Sequence, residues 1–223
     1  MYVPTPTQHD PRPDAGPPWW LLIGPGFAAL IGLFLLTVVY RFDGRATLQI
    51  ELGMSNQAML LSGLVAYLIA AAIAFPAGLV LGARFPTALT VPALCLMLLG
   101  VVLVAFTPDS VLFLVGRALN GLGAGAAIGV TVALIRRLRT GRGAAAGVTA
   151  GLGVVALATA PLLGGLVSDA LGFRVVYVVA AVFVFVALVV AGILGIVTLA
   201  KAKPAARPMP YGAPYPPQGP PHA

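Results

Sequence analysis

The sequence predicts an all-α fold: a polytopic membrane protein built as a bundle of six transmembrane helices. Three observations carry this. Hydrophobic residues make up 60% of the 223 positions and charged residues only 9%, against roughly 25% charged in an average soluble domain. Mean hydropathy over the whole length is +1.01. Six apolar runs, parted by short polar turns, each approach the roughly 20 residues that cross a bilayer as a helix. The net charge of +7 does not point to nucleic acid. The basic residues fall in short loops between apolar runs rather than on one solvated face. Membrane lipid is the expected surrounding partner, and no nucleic acid is expected.

Residues 1–18 are polar and Pro-rich and read as a disordered tail. The membrane domain spans 19–200. Its first span opens on Trp19 and Trp20 and runs to Tyr40, with aromatics at both ends as in an interfacial belt. The run is too long for the apolar core of a cleavable leader and is read as a retained span. The second span covers about 57–82, and the turn Ala83-Arg84-Phe85-Pro86-Thr87 leads to the third, about 88–106. Pro108 and Asp109 supply turn chemistry before the fourth span, about 111–135. The basic turn RRLRTGRG precedes the fifth span, about 143–167. A turn over 168–174 leads to the sixth span, about 175–200, and residues 201–223 form a second Pro-rich tail, also read as disordered.

Charge sets the orientation. With the N-terminus cytoplasmic, the inside pieces hold nine basic residues: Arg12, Arg84, Arg136, Arg137, Arg139, Arg142, Lys201, Lys203 and Arg207. The outside loops hold three, Arg41, Arg45 and Arg174. The positive-inside rule therefore predicts both termini in the cytoplasm. The Ala/Gly/Val/Arg-rich usage is compatible with a bacterial inner membrane.

Arg117 is the one charge inside an apolar run. Ionisable groups at membrane depth are costly and mark functional positions. About six residues into its span, it lies about 9 Å below the outer edge. It reads either as a cavity-facing cation or as a structural arginine bonded to helix-end carbonyls. Gly121, Gly125 and Gly129 recur every four residues, as do Gly143, Gly147 and Gly151. Each set makes a small-residue stripe for close helix packing within the bundle, or for a dimer seam on the fifth span. Pro161 predicts a kink inside that span, serving either as a gating joint or as local fit. No catalytic constellation, metal-ligand cluster or phosphate loop appears. His9 and His222 lie in opposite tails and Cys95 is the single cysteine. No enzyme activity and no cofactor are expected.

The ordered motifs resemble the N-terminal six-helix half of a major facilitator superfamily transporter, over roughly residues 20–200. LQIELGMSNQ with Tyr67 and FPAG is similar to that family's passage into its second helix. VGRALNGLGAG resembles its fourth-helix motif, with Arg117, Asn120, Gly121 and Gly125 at matching places. ATAPLLGGLVSDALGFR resembles the fifth-helix motif of the drug–proton antiporter branch, with Pro161, Gly164 and Gly165 matching and Ala160 in place of a usual glycine. The loop between helices two and three departs from the family: Arg84 is kept, but Ala83 replaces the acid and Pro86, Thr87 and Ala88 stand where glycine and basic residues are usual. The resemblance implies a remnant of a cytoplasmic gate at Arg84. It supports a coupling role for Arg117, with Asn120 and Tyr67 as polar residues available to a substrate path; Gly121, Gly125, Pro161, Gly164 and Gly165 of the matched motifs, with Gly147 and Gly151 of the spaced stripe, are read as packing or gating positions.

Family transporters hold substrate at the midplane between two six-span halves, so six spans supply one wall of the path. The function expected is a half-size transporter of a small molecule, working as a homodimer or with a separate six-span partner; proton-coupled efflux is what the fifth-helix resemblance implies, although no Asp or Glu within a span offers a carboxylate relay. The alternative is a non-transporting membrane scaffold derived from a transporter, which the altered loop and Pro-rich tails favour.

Overall fold

A computed structural model describes residues 19–40, 49 and 51–201. The two predicted tails fall outside the described residues, apart from Lys201. Six helices are long and apolar enough to cross a membrane, and no strand occurs among the described residues. A 3-10 turn at Trp19–Leu22 runs into α1, Ile23–Thr37. α2 spans Asn56–Leu81, with a single π-helical stretch at Leu61–Val65. α3 is Pro86–Ala105, α4 Ser110–Arg137, α5 Arg142–Leu171 and α6 Phe173–Lys201.

Local chemistry sets most boundaries. The Ser55 hydroxyl accepts from the Ala58 amide at 3.1 Å at the start of α2. Asp109 accepts from the Val111 and Leu112 amides at 2.9 and 2.8 Å at the start of α4. Both satisfy amides that a first helical turn leaves without partners. Pro86 opens α3 at a position where no amide donor is needed. Two boundaries differ from the sequence reading by three residues or more. α1 ends at Thr37, three residues before Tyr40. α5 continues through Ser168 to Leu171, where a turn was expected. Nothing in Ser168-Asp169-Ala170-Leu171 breaks a helix, and the chain turns only at Gly172, whose φ of +86° suits glycine.

α4 is the central helix. Its most apolar window is 61% buried, against 17% for α2 and 22% for α5. It packs chiefly on α2 and α3, with α1 next; α6 lies on α3, and α5 leans on α1. The α4–α2 contact is backbone to backbone. A Cβ added at Gly121, Gly125 or Gly129 would overlap the carbonyls of Tyr67, Ala71 and Phe75. Gly78 of α2 returns the contact against the Ala126 carbonyl. Small residues at a four-residue period thus bring two membrane helices within close approach. The second stripe behaves differently: Gly143, Gly147 and Gly151 face open space. Exposed apolar side chains such as Ile73, Val154 and Ile196 cover the outer faces, as a lipid-facing surface requires.

Candidate functional site

Helix α1 stops at Thr37, so its last carbonyls have no donor within the helix. The π-helical stretch of α2 likewise disturbs the regular ladder around Gly63. Arg117 of α4 meets both. Its Nε donates to the Gly63 carbonyl at 2.8 Å, one terminal nitrogen to Leu35 at 2.6 Å and the other to Leu36 at 2.9 Å. A guanidinium carries five N–H donors in a fixed fork, which fits three carbonyls from two helices. The negative end of the α1 dipole adds to the attraction. Arg117 is fully buried.

Tyr67 completes the cage. Its ring lies 4.6 Å from the guanidinium carbon, within cation–π range. Its hydroxyl donates to the Gly32 carbonyl of α1 at 2.6 Å. Tyr177 of α6, fully buried, lies within electrostatic reach of Arg117 without a hydrogen bond of full geometry. The cage therefore joins α1, α2 and α4 directly, with an α6 tyrosine beside it. The cation is balanced by carbonyl dipoles and an aromatic face.

The other predicted residues fall in different places. Asn120 is fully buried, but it packs toward Gly100 of α3 rather than into the cage. Neither of its amide atoms has a protein hydrogen-bond partner. Gly121 and Gly125 lie in the α4–α2 contact, while Gly147 and Gly151 face outward. Gly164 abuts the Val38 carbonyl at the end of α1, and Gly165 is buried. Arg84 is exposed and sits 5.3 Å over the ring of its neighbour Phe85. Arg137 donates to the Ala83 carbonyl at 2.9 Å, so the α4 end is tied to the loop between α2 and α3.

Pro161 lies inside α5 and has no amide to offer the Leu157 carbonyl four residues earlier. The Thr37 hydroxyl of α1 fills that place, at 3.0 Å. Sequence reasoning missed Thr37, Gly63 and Tyr177. Pro161 did signal that the carbonyl of Leu157 would need an outside donor, but nothing in the sequence said which helix would supply it. Several polar residues in the spans bond back to their own helix and offer little to a ligand. Ser62 donates to Ala58, Thr131 to Ala127 and Thr159 to Val155.

The structure thus brings Arg117 and Tyr67 together in one cage, leaves Asn120 outside it and seals Gly121 and Gly125 against α2. Comparison with known proteins gives one family: residues 33–215 match the model of the Major Facilitator Superfamily. No curated protein matches the sequence. A match over most of the length, on a bundle with six membrane-length helices, establishes that the chain belongs to the Major Facilitator Superfamily.

Proposed function

We propose that the chain is a transport unit for a small molecule, and that it encloses its path by pairing with a second six-helix unit, either another copy or a separate partner. The carrying observation is the Arg117 cage. It locks the end of α1, the π-helical stretch of α2 and the body of α4 together. Alternating access by rocking requires each six-helix unit to move as one body, and a buried three-carbonyl clasp favours that. The proposed setting is a cell inner membrane with both chain ends cytoplasmic, following the bias of basic residues.

We extend the reading to proton-coupled efflux, on the likeness of the Pro161-Gly164-Gly165 motif to the drug–proton antiporter branch. Coupling is assigned to the Arg117 neighbourhood, where a change in the charge of a docked partner would alter the balance of the cage. The test is efflux from proteoliposomes under an imposed pH gradient, with lipophilic cationic dyes as probes. The expected result is gradient-driven release that Arg117→Lys slows severely. Absence of any release across the dye panel in well-folded protein would overturn proton-coupled efflux of such compounds.

One observation favours a second reading, a non-transporting scaffold. Arg84 stacks on Phe85 beside Ala83, where the family's loop usually carries an acid. A gate latch built on an acid–arginine contact is therefore absent at this place. The scaffold reading expects no transport of any solute and stable capture of another membrane protein.

A further inference from the structure

α5 touches α1 along only part of its length. Gly153 meets the Leu33 side chain, Leu157 accepts from Thr37, and Gly164 abuts Val38. Before Gly153, residues 142–152 are exposed or half-buried. The N-terminal half of α5 thus stands away from the bundle and leaves a cleft between α1, α4 and α5. Its volume is about 420 Å³, with Leu30, Leu33, Ile128, Val132, Ala150 and Val154 among its walls. A second cleft of about 450 Å³ flanks the same gap and shares Leu30 and Thr149 with the first. Both lie within the roughly 300–1,000 Å³ of small-molecule sites. The walls are apolar, and the hydroxyl of the lining Thr131 is already bonded to Ala127. Such a space suits an acyl chain and offers little to a wholly polar solute.

The mouth has the opposite character. Arg136 and Arg142 line the cleft, and neither has a protein acceptor among the described residues. Among the described residues no acid stands near to compete. Among the described residues the acids are Glu51, Asp109 and Asp169, which lie before α2, before α4 and in the last turn of α5. All three are at the far end of the bundle from the α4–α5 turn. The first turn of α5 adds to the positive field, since it holds no acid and has no side-chain cap. An apolar slot ending at two guanidinium groups that have no partner among the described residues is complementary to a chain carrying a phosphate.

We propose that this cleft binds one anionic phospholipid of the cytoplasmic leaflet, with an acyl chain against α1, α4 and α5 and the phosphate held by Arg136 and Arg142. The binding stands on the cleft itself and does not depend on transport. A bound lipid would fill the gap between α5 and the bundle, so lipid occupancy would set the stance of the N-terminal half of α5.

The test is lipid retention by the full chain in native mass spectrometry from mild detergent. The probes are phosphatidylglycerol and phosphatidylcholine with identical chains, with glycerol phosphate as a tail-less competitor. The expected result is retention of phosphatidylglycerol over phosphatidylcholine, weakened about tenfold or more in R136Q/R142Q. Ala150→Phe, which fills the slot without changing charge, should weaken it similarly. Arg139→Gln removes a nearby charge that does not line the cleft and should leave retention near wild type. Equal loss in Arg139→Gln and R136Q/R142Q would overturn the site in favour of diffuse attraction. Full retention in Ala150→Phe, or displacement by glycerol phosphate, would overturn the role of the slot and leave a free-phosphate contact instead.

Discussion

The Thr37 hydroxyl lies 3.0 Å from the Leu157 carbonyl, the group that Pro161 leaves without its helical donor. The relationship turns a helix defect into a joint between α1 and α5. Gly164 abuts Val38 just beyond it, so the contact continues along the C-terminal half of α5, while the N-terminal half stands away from the bundle. A proline in a membrane helix is tolerated where a neighbour re-satisfies the freed carbonyl.

Removing the donor should cost stability only while the proline is present. Thr37→Val is expected to lower stability by about 1 kcal/mol, within the range of hydrogen bonds between membrane helices. In a Pro161→Ala background residue 161 regains its amide and can serve Leu157, so Thr37→Val should then cost much less. A double-mutant cycle in steric-trap or denaturant unfolding checks this. Equal costs in both backgrounds would remove the joint.

Arg117 should be intolerant of even a conservative change. Lysine keeps the charge but offers one point instead of a fork, so it cannot serve Gly63, Leu35 and Leu36 together. Arg117→Lys is expected to lose part of the stability, and Arg117→Gln about 3 kcal/mol or more, since it leaves buried carbonyls without donors. Thermal unfolding in one fixed detergent measures both. Wild-type stability in Arg117→Gln would mean that the cage holds nothing together.

The two glycine stripes show how far the sequence reading reaches. Six spans, their order and most of their ends were legible because apolar runs, caps and prolines are local signals. The role of each stripe was not. Gly121-Gly125-Gly129 and Gly143-Gly147-Gly151 have the same spacing, yet the first is sealed against α2 and the second faces open space. Spacing gives a face, and only the packing decides what the face meets. Arg117 was marked by its depth and by its place in the fourth-helix motif. Its partners are backbone carbonyls at a helix end and in a π-helical stretch, which no residue type announces. The extra turn of α5 through Leu171 was missed because Ser168 and Asp169 resemble a loop while breaking no helical rule.

Substitutions should separate the stripes. Gly125→Ala places a methyl group on the Ala71 backbone and is expected to cost about 2 kcal/mol, as overpacking does. Gly147→Ala meets nothing and should stay within about 0.5 kcal/mol of wild type in the monomer. Thermal unfolding of the two variants side by side gives the answer. Equal effects would contradict the assigned packing.

Pairing with a second six-helix unit is the centre of the functional account. The most direct measurement is the mass of the protein purified in lipid nanodiscs, for wild type and for Gly147→Leu. Two copies, or one copy with another six-span chain, are expected in the wild type. Single folded copies are expected in Gly147→Leu if the outward stripe of α5 is the seam. A wild-type protein that stays a single chain in the bilayer, with no partner at any loading, would contradict the pairing.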